Sequence, residues 1–317
     1  MTFDVLTIGR VSVDLYPDES GVPLAEVRSF HRSLGGGPTN VAVAAARLGR
    51  RSAVITKVGR EGFGPYVRSA LRGFGVDDRY VGTHPKLLTP IVFCELYPPD
   101  HFPLIFYREP RAPDLDIEAD EIDLVAVRQA GVFWTTGTGL CEEPSRGTTL
   151  AALRARGRRA HAVHDLDWRP MFWASEEEAR SPQLEALRWA TVAVGNRAEV
   201  AVAVGGGTPE EQAERLLALG LELAFVKLGP EGTLVAWAGG AERVPAVPVE
   251  VVNGLGAGDA FGGAVCHGLL GGWDPVRIAR FANAAGAHVA ARLACADAMP
   301  TEAEVLELLS RAGQPAL

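Results

Sequence analysis

Short apolar runs alternate with longer amphipathic stretches along most of this chain, and that rhythm leaves few folds open. Val5-Leu6-Thr7-Ile8 reads as a buried strand ended by Gly9. Ala53-Val54-Ile55, Val132-Phe133-Trp134, Ala162-Val163-His164, Thr191-Val192-Ala193-Val194 and Ala224-Phe225-Val226 read the same way. Between them, 38–48, 66–74, 145–156, 176–189 and 209–219 carry helical patterns. Strand and helix in turn mean parallel crossovers. The predicted fold class is therefore α/β, with a central, mostly parallel sheet flanked by helices on both faces. With 47% hydrophobic and 22% charged residues, the chain has enough apolar surface to offset its conformational entropy. The whole of 1–317 reads as one domain.

Two segments break the rhythm. About 11–34 and 79–108 hold short β-like runs, such as Ile91-Val92-Phe93 and Leu104-Ile105-Phe106-Tyr107. They are read as a small β-sheet lying over the main one as a lid, with ordinary surface loops as the other reading. Thr301 to Leu309 is a predicted helix with Glu in its first turn, where the helix dipole favours it.

Several function classes fall away. No apolar run approaches the ~20 residues that span a bilayer, so no membrane partner is expected. The formal charge of −8 argues against general nucleic-acid binding. Cys94, Cys141, Cys266 and Cys295 lie far apart, without C-x-x-C spacing. They suggest neither a zinc site nor a disulfide framework. A reduced, cytoplasmic setting is expected. Lys57, Lys86 and Lys227 are the only lysines among 31 basic residues. Arginine grips planar anions with two hydrogen bonds, so it is the expected clamp for an anionic substrate.

The most informative stretch is Val251-Val252-Asn253-Gly254-Leu255-Gly256-Ala257-Gly258-Asp259-Ala260-Phe261. A β-prone run enters a turn of small residues, and a helix follows from Ala260 to Leu270. Such a turn leaves backbone N–H groups unpaired at a helix start, and with the helix dipole they form an anion site. Without side chains at Gly256 and Gly258, a phosphate can approach the backbone closely. Asp259 in the first turn has two readings. It can take a proton from a hydroxyl attacking phosphorus, or it can be an N-cap.

Other nucleotide sites fail on inspection. No lysine follows a glycine, so a Walker loop is excluded. The strings H-R-D and D-F-G are absent. Gly9-Arg10-Val11-Ser12 after the first strand is not a dinucleotide fingerprint.

The string Gly256-Ala257-Gly258-Asp259-Ala260-Phe261 resembles the signature of the ribokinase-like (PfkB) carbohydrate kinases. Gly35-Gly36-Gly37-Pro38-Thr39-Asn40-Val41-Ala42, with Leu48-Gly49, resembles that family's other signature. The resemblance implies the ribokinase-like fold, a β lid, and ATP- and Mg²⁺-dependent phosphorylation of a sugar-type hydroxyl. It makes Asp259 the base, and Gly256, Ala257 and Gly258 the anion hole. Asp14, Gly36, Gly37 and Asn40 become substrate-side residues. Asn196-Arg197-Ala198-Glu199 resembles the family's N-x-x-E, which implies that Asn196 and Glu199 organise Mg²⁺ and phosphates, Glu199 through water. Lys227, Gly229 and Gly232 resemble its nucleotide-binding turn, and Asn283 the helix bordering adenine. Where the family often has Asp, six residues before the base, this chain has Asn253. A monovalent cation near that loop is implied by the family, and Asn253 counts against it. Related kinases pair through the lid, which implies a homodimer.

Asp165-Leu166-Asp167-Trp168-Arg169-Pro170-Met171-Phe172-Trp173 resembles a stretch of the members that act on keto-deoxy sugar acids. Phe106-Tyr107-Arg108 resembles their lid segment. The resemblance gives Arg108 and Arg169 the substrate carboxylate. Thr7 to Pro17, Thr136 to Leu140 and Arg292 to Thr301 resemble the branch that phosphorylates 5-dehydro-2-deoxygluconate to its 6-phosphate in inositol catabolism. Kinases of the same fold for 2-keto-3-deoxygluconate, fructose, ribose or a nucleoside stay open, as does a non-catalytic sugar- or nucleotide-binding regulator.

Overall fold

A computed structural model describes residues 2–314. In chain order the first half holds β1 (Val5–Ile8), β2 (Ser12–Pro17), β3 (Phe30–Gly35), α1 (Gly37–Arg47), β4 (Ser52–Val58), α2 (Phe63–Gly73), β5 (Val76–Asp77), β6 (Val81–Thr83), β7 (Ile91–Cys94), β8 (Leu104–Tyr107), α3 (Leu124–Gln129), β9 (Val132–Thr136) and α4 (Ser145–Arg156). The second half holds β10 (Ala162–Asp165), α5 (Glu176–Trp189), β11 (Val192–Asn196), α6 (Arg197–Val204), α7 (Pro209–Ala218), β12 (Leu223–Lys227), β13 (Thr233–Trp237), β14 (Gly240–Val244), α8 (Ala257–Leu270), α9 (Pro275–Ala290) and α10 (Glu302–Arg311).

The main sheet runs β14-β13-β12-β11-β10-β9-β1-β4-β5, with β6 also on β4. It is parallel except for the β12–β13–β14 meander. Neighbouring strand residues face opposite layers. Trp134 joins the core under α1, α8 and α9, while Phe133 joins the core under α3, α4 and α5. Both faces are thus covered, as the buried runs predict.

The second sheet is β3-β2-β7-β8. It contains parts of both interrupting segments. β6 departs from the expected boundary: Val81–Thr83 pairs with Thr56–Val58 of the main sheet, so the second segment reaches the small sheet only at β7. The β13–β14 hairpin was not predicted, and helix α9 was expected only through the resemblance around Asn283. Helix α8 begins at Ala257, ahead of the predicted Ala260.

Small residues bring α1 and α8 together. A Cβ on Gly263 would lie 2.3 Å from the Ala44 methyl, and one on Gly262 would lie 2.7 Å from the Trp134 ring. This close crossing sets the first turns of the two helices side by side. No helix among the described residues is long and apolar enough to cross a membrane.

Candidate active site

The phosphate-type turn is built around Gly256, which caps α8 with φ +81°. That left-handed conformation suits glycine. Space demands it too, because a Cβ would sit 2.7 Å from Cys295 Sγ. The Asp259 N–H donates to the Gly256 carbonyl at 3.1 Å. The N–H groups of Ala257 and Gly258 have no partner among the described residues. Lys227, the last residue of β12, brings its Nζ to 3.4 Å from where a Gly258 Cβ would be. Open backbone donors, a helix N-terminus and an ammonium therefore meet at one point.

Asp259 is not the N-cap, which corrects that reading. Its Oδ2 instead accepts from Asn40 Nδ2 at 2.8 Å, across the α1–α8 contact. Burial raises its pKa to about 6, opposed by the Asn40 hydrogen bond and by the charges of Arg10 and Arg169, while Asp167 adds to the rise. A carboxylate that titrates near 6 is mostly ionised at neutral pH yet more basic than an ordinary one, which suits a general base. A Cβ on Gly37 would lie 3.4 Å from both Asp167 Oδ2 and Asp259 Oδ1. Its absence leaves room for a ligand hydroxyl between two acids.

Asp165 and Asp167 belong to the site, and only the Arg169 end of their stretch was assigned from sequence. Asp165 ends β10 with an unpartnered, buried Oδ1. Burial raises it to about 8, against the pull of Lys227. Burial would also raise Asp167, but Arg169, Arg10 and the Thr138 hydroxyl at 2.8 Å overturn this and hold it below the usual range. Lys227 loses hydration as well, yet Asp165 and Glu199 raise its pKa.

Glu199 and Asn196 form a capping box at the start of α6. The Asn196 N–H donates to Glu199 Oε2 at 2.6 Å, and the Glu199 N–H to Asn196 Oδ1 at 2.9 Å. Glu199 Oε2 lies 3.9 Å from Lys227 Nζ. Among the described residues no three His, Cys, Asp or Glu side chains cluster closely enough to cage a metal ion. What remains is buried Glu199 with the orphaned Asp165 oxygen nearby. This donor set fits a hydrated Mg²⁺ held mostly by other ligands.

Asp14, on β2, is buried and accepts from Ser12 Oγ at 2.6 Å. Burial raises its pKa against that bond and the Arg10 charge. Gly35, not singled out from sequence, makes this possible, because a Cβ there would fall 2.0 Å from Asp14 Oδ1. Gly36 has φ +101°, and a Cβ would meet the Arg10 carbonyl at 2.3 Å. Arg169 Nη2 lies 3.1 Å from Asp167 Oδ1. Arg108 sits farther out, with Nη2 donating to Asp114 Oδ2 at 2.9 Å.

Past Lys227, Gly229 (φ +63°) and Gly232 (φ +97°) turn the chain from β12 into β13. Asn283 spends its amide on protein. It accepts from Thr233 Oγ1 at 2.7 Å and donates to the Val244 and Pro245 carbonyls at 3.0 and 3.1 Å. It fastens the hairpin to α9 and does not offer its nitrogen to a base.

Asn253 is fully buried. Its Nδ2 donates to the Leu293 carbonyl at 2.5 Å, and its Oδ1 accepts from the Leu255 N–H at 3.0 Å. An amide proton aimed at that carbonyl does not fit a cation between these loops.

A doubly covered parallel sheet, a small β-sheet beside it and an acid at a glycine-opened helix start define a sugar-kinase scaffold. The profile described as pfkB family carbohydrate kinase matches residues 2–302, and the chain belongs to that family. It is 32% identical over 312 residues to 5-dehydro-2-deoxygluconokinase of Shouchella clausii, covering 97% of this chain and 95% of that protein. It is 31% identical over 316 residues to the same-named protein of Clostridium tetani, covering 96% and 92%. Among solved structures it resembles a fructokinase double mutant from Vibrio cholerae in fructose, ADP and potassium ion bound form. That match has TM-score 0.87 and 25% identity, and covers 97% and 99%. It also resembles an uncharacterized sugar kinase from Pyrococcus horikoshii in complex with ATP, with TM-score 0.80, 28% identity, and coverage of 96% and 97%.

Proposed function

We propose that this chain transfers the γ-phosphoryl group of ATP to the terminal hydroxyl of a keto-deoxy sugar acid, converting 5-dehydro-2-deoxy-D-gluconate to its 6-phosphate. The observation that carries the reading is Asp259, held by Asn40 beside the open N–H groups of α8 with arginines around the same cleft. The names of the relatives above support the substrate.

Asp259 takes the proton of the attacking hydroxyl. The Ala257 and Gly258 N–H groups and Lys227 stabilise charge on the phosphoryl oxygens, an electrostatic and positioning role. Asp14, given its space by Gly35, holds substrate hydroxyls together with Asn40, and Gly36 and Gly37 keep the adjoining turn free of side chains. Arg169 and Arg108 face the acid end, each with a buried N–H still unpartnered. Adenine lies by the Gly229–Gly232 turn and the Asn283-fastened hairpin. Mg²⁺, when bound, neutralises phosphate charge, and Asn196 and Glu199 meet it through water. In this reading no monovalent cation sits at Asn253. The small sheet closes over the sugar as a lid. It also pairs two copies, through exposed Ile105 and Tyr107 on its edge strand β8.

ATP consumption measured with Mg²⁺ against 5-dehydro-2-deoxygluconate, 2-keto-3-deoxygluconate, fructose, ribose and adenosine tests the reading. Turnover on the first alone is expected. Turnover only on a neutral sugar would overturn the substrate and keep the kinase.

A further inference from the structure

Three arginines reach the cleft, and they are not equivalent. Arg108 is bonded to Asp114, and Arg169 lies against Asp167. Arg10, in the turn between β1 and β2, is only 7% exposed. Its backbone carbonyl accepts from Thr39 Oγ1. Its guanidinium makes no hydrogen bond and no ion pair among the described residues, and its Nε is buried without a partner. A desolvated cation in that condition is costly unless something pairs with it.

Its place is nevertheless well defined. The guanidinium carbon lies 5.5 Å from the centre of the Phe106 ring. Phe106 packs edge-to-face on Phe172 at 5.0 Å, and Phe172 carries Arg108 at 5.2 Å. One aromatic pair thus holds an arginine at each end. The Arg10 charge lowers the pKa values of Asp14, Asp167 and Asp259, so it is felt at all three acids. None of the three comes within ion-pair distance of it. The fork is left without a partner among the described residues. It lies on the sugar side, on a turn leading into the small sheet, whereas Lys227 serves the phosphate turn.

We propose that Arg10 is a specificity-determining residue that pairs with the carboxylate of the sugar acid. A planar guanidinium meets a carboxylate with two parallel hydrogen bonds. Arg108 and Arg169 already share their charge with Asp114 and Asp167, so Arg10 is the cation with most to gain from an anionic ligand. The inference rests on the sugar-acid reading above.

The test compares kcat and KM for 5-dehydro-2-deoxygluconate with those for a neutral analogue carrying hydroxymethyl in place of the carboxylate. Wild-type protein is expected to prefer the acid. Arg10→Met should lose about 10- to 100-fold in kcat/KM on the acid, mainly through KM, the scale of a charge-assisted bond. On the neutral analogue, assayed at about pH 8 or above so that Asp259 stays ionised without the Arg10 charge, the loss should be clearly smaller than on the acid, which also shows that the variant is folded. Arg10→Lys should recover part of the loss on the acid, since it restores charge without the fork. Equal losses on both substrates would overturn the proposal, as would an unchanged KM for the acid. A wild-type enzyme that does not prefer the acid would overturn the sugar-acid reading itself, before any variant is compared.

Discussion

Asn40 and Asp259 are joined by one hydrogen bond of 2.8 Å that spans 219 residues of sequence and links the first turns of α1 and α8. The bond favours the ionised carboxylate, since an amide N–H donates better to an anion. It also fixes which way the carboxylate points.

Replacing the base isolates its contribution. Asp259→Asn should lower kcat by about 10²–10⁴-fold, the usual yield of a positioned base, with ATP affinity little changed. Near-native turnover in steady-state assays would remove Asp259 from that role. Stability should move the other way. The folded pKa of about 6 exceeds the ordinary 3.8, so the native carboxylate costs stability as pH rises between those values, and fully above them. At pH 7.5 the variant should therefore melt at a higher temperature than the native protein.

The pH profile follows from the same residue. A base with pKa about 6 is protonated and idle below that value, so kcat/KM should fall roughly tenfold per pH unit on the acid side. Asn40→Ala removes a bond that lowers this pKa. The acid limb should then move up by on the order of one pH unit, the equivalent of one charge-assisted hydrogen bond. A limb that stays in place would show that Asn40 acts on the substrate alone.

Much of this was legible in sequence. The β-branched runs, the turn at Gly256 and the pairing of Asn196 with Glu199 are local features, and local physics specifies them. The rest depends on partners far away in the chain. Asn283 looked available until the carbonyls of Val244 and Pro245 came to meet it. The N-cap reading of Asp259 failed because α8 begins at Ala257 with Gly256 as its cap, which leaves Asp259 inside the first turn, facing Asn40. Whether Arg10 has a partner cannot be read from its neighbours in sequence. β6 is too short for periodicity to mark it, and its place is set by pairing with β4. Asp165 and Asp167 carried a signal, two acids at a strand end, but their opposite pKa shifts come from burial at the first and from the Arg169 charge at the second.

Salt dependence should reflect Asn253. Turnover in potassium chloride and in choline chloride should agree within about twofold, since an amide hydrogen bond already spans the two loops. Asn253→Asp removes the donated proton and adds a charge, so it should lower activity in choline and regain it in potassium. Strong potassium activation of the native protein would contradict the geometry.

A structural test lies far from the cleft. Arg156 is 1% exposed, and its Nη1 and Nη2 donate to the carbonyls of Val127, Ala130, Gly131 and Ala160. Arg156→Met takes the buried donor away from the Val127, Ala130 and Ala160 carbonyls, while Gly131 keeps the His161 N–H. The loss should be on the order of 3 kcal/mol or more in urea unfolding, with the KM values of folded protein unchanged.

Cys295 touches both halves of the cleft. Its Sγ accepts or donates at 2.7 Å to Tyr16 of the small sheet, while the same residue blocks any side chain at Gly256. Nearby, Ser33 of the small sheet bonds Asp297 on the same short segment. In the proposed reading, one wall is therefore shared by the compartment for the acceptor and the compartment for the donor. Occupancy of either side that shifts this wall must alter the dissociation constant on the other, by an equal factor whichever molecule arrives first.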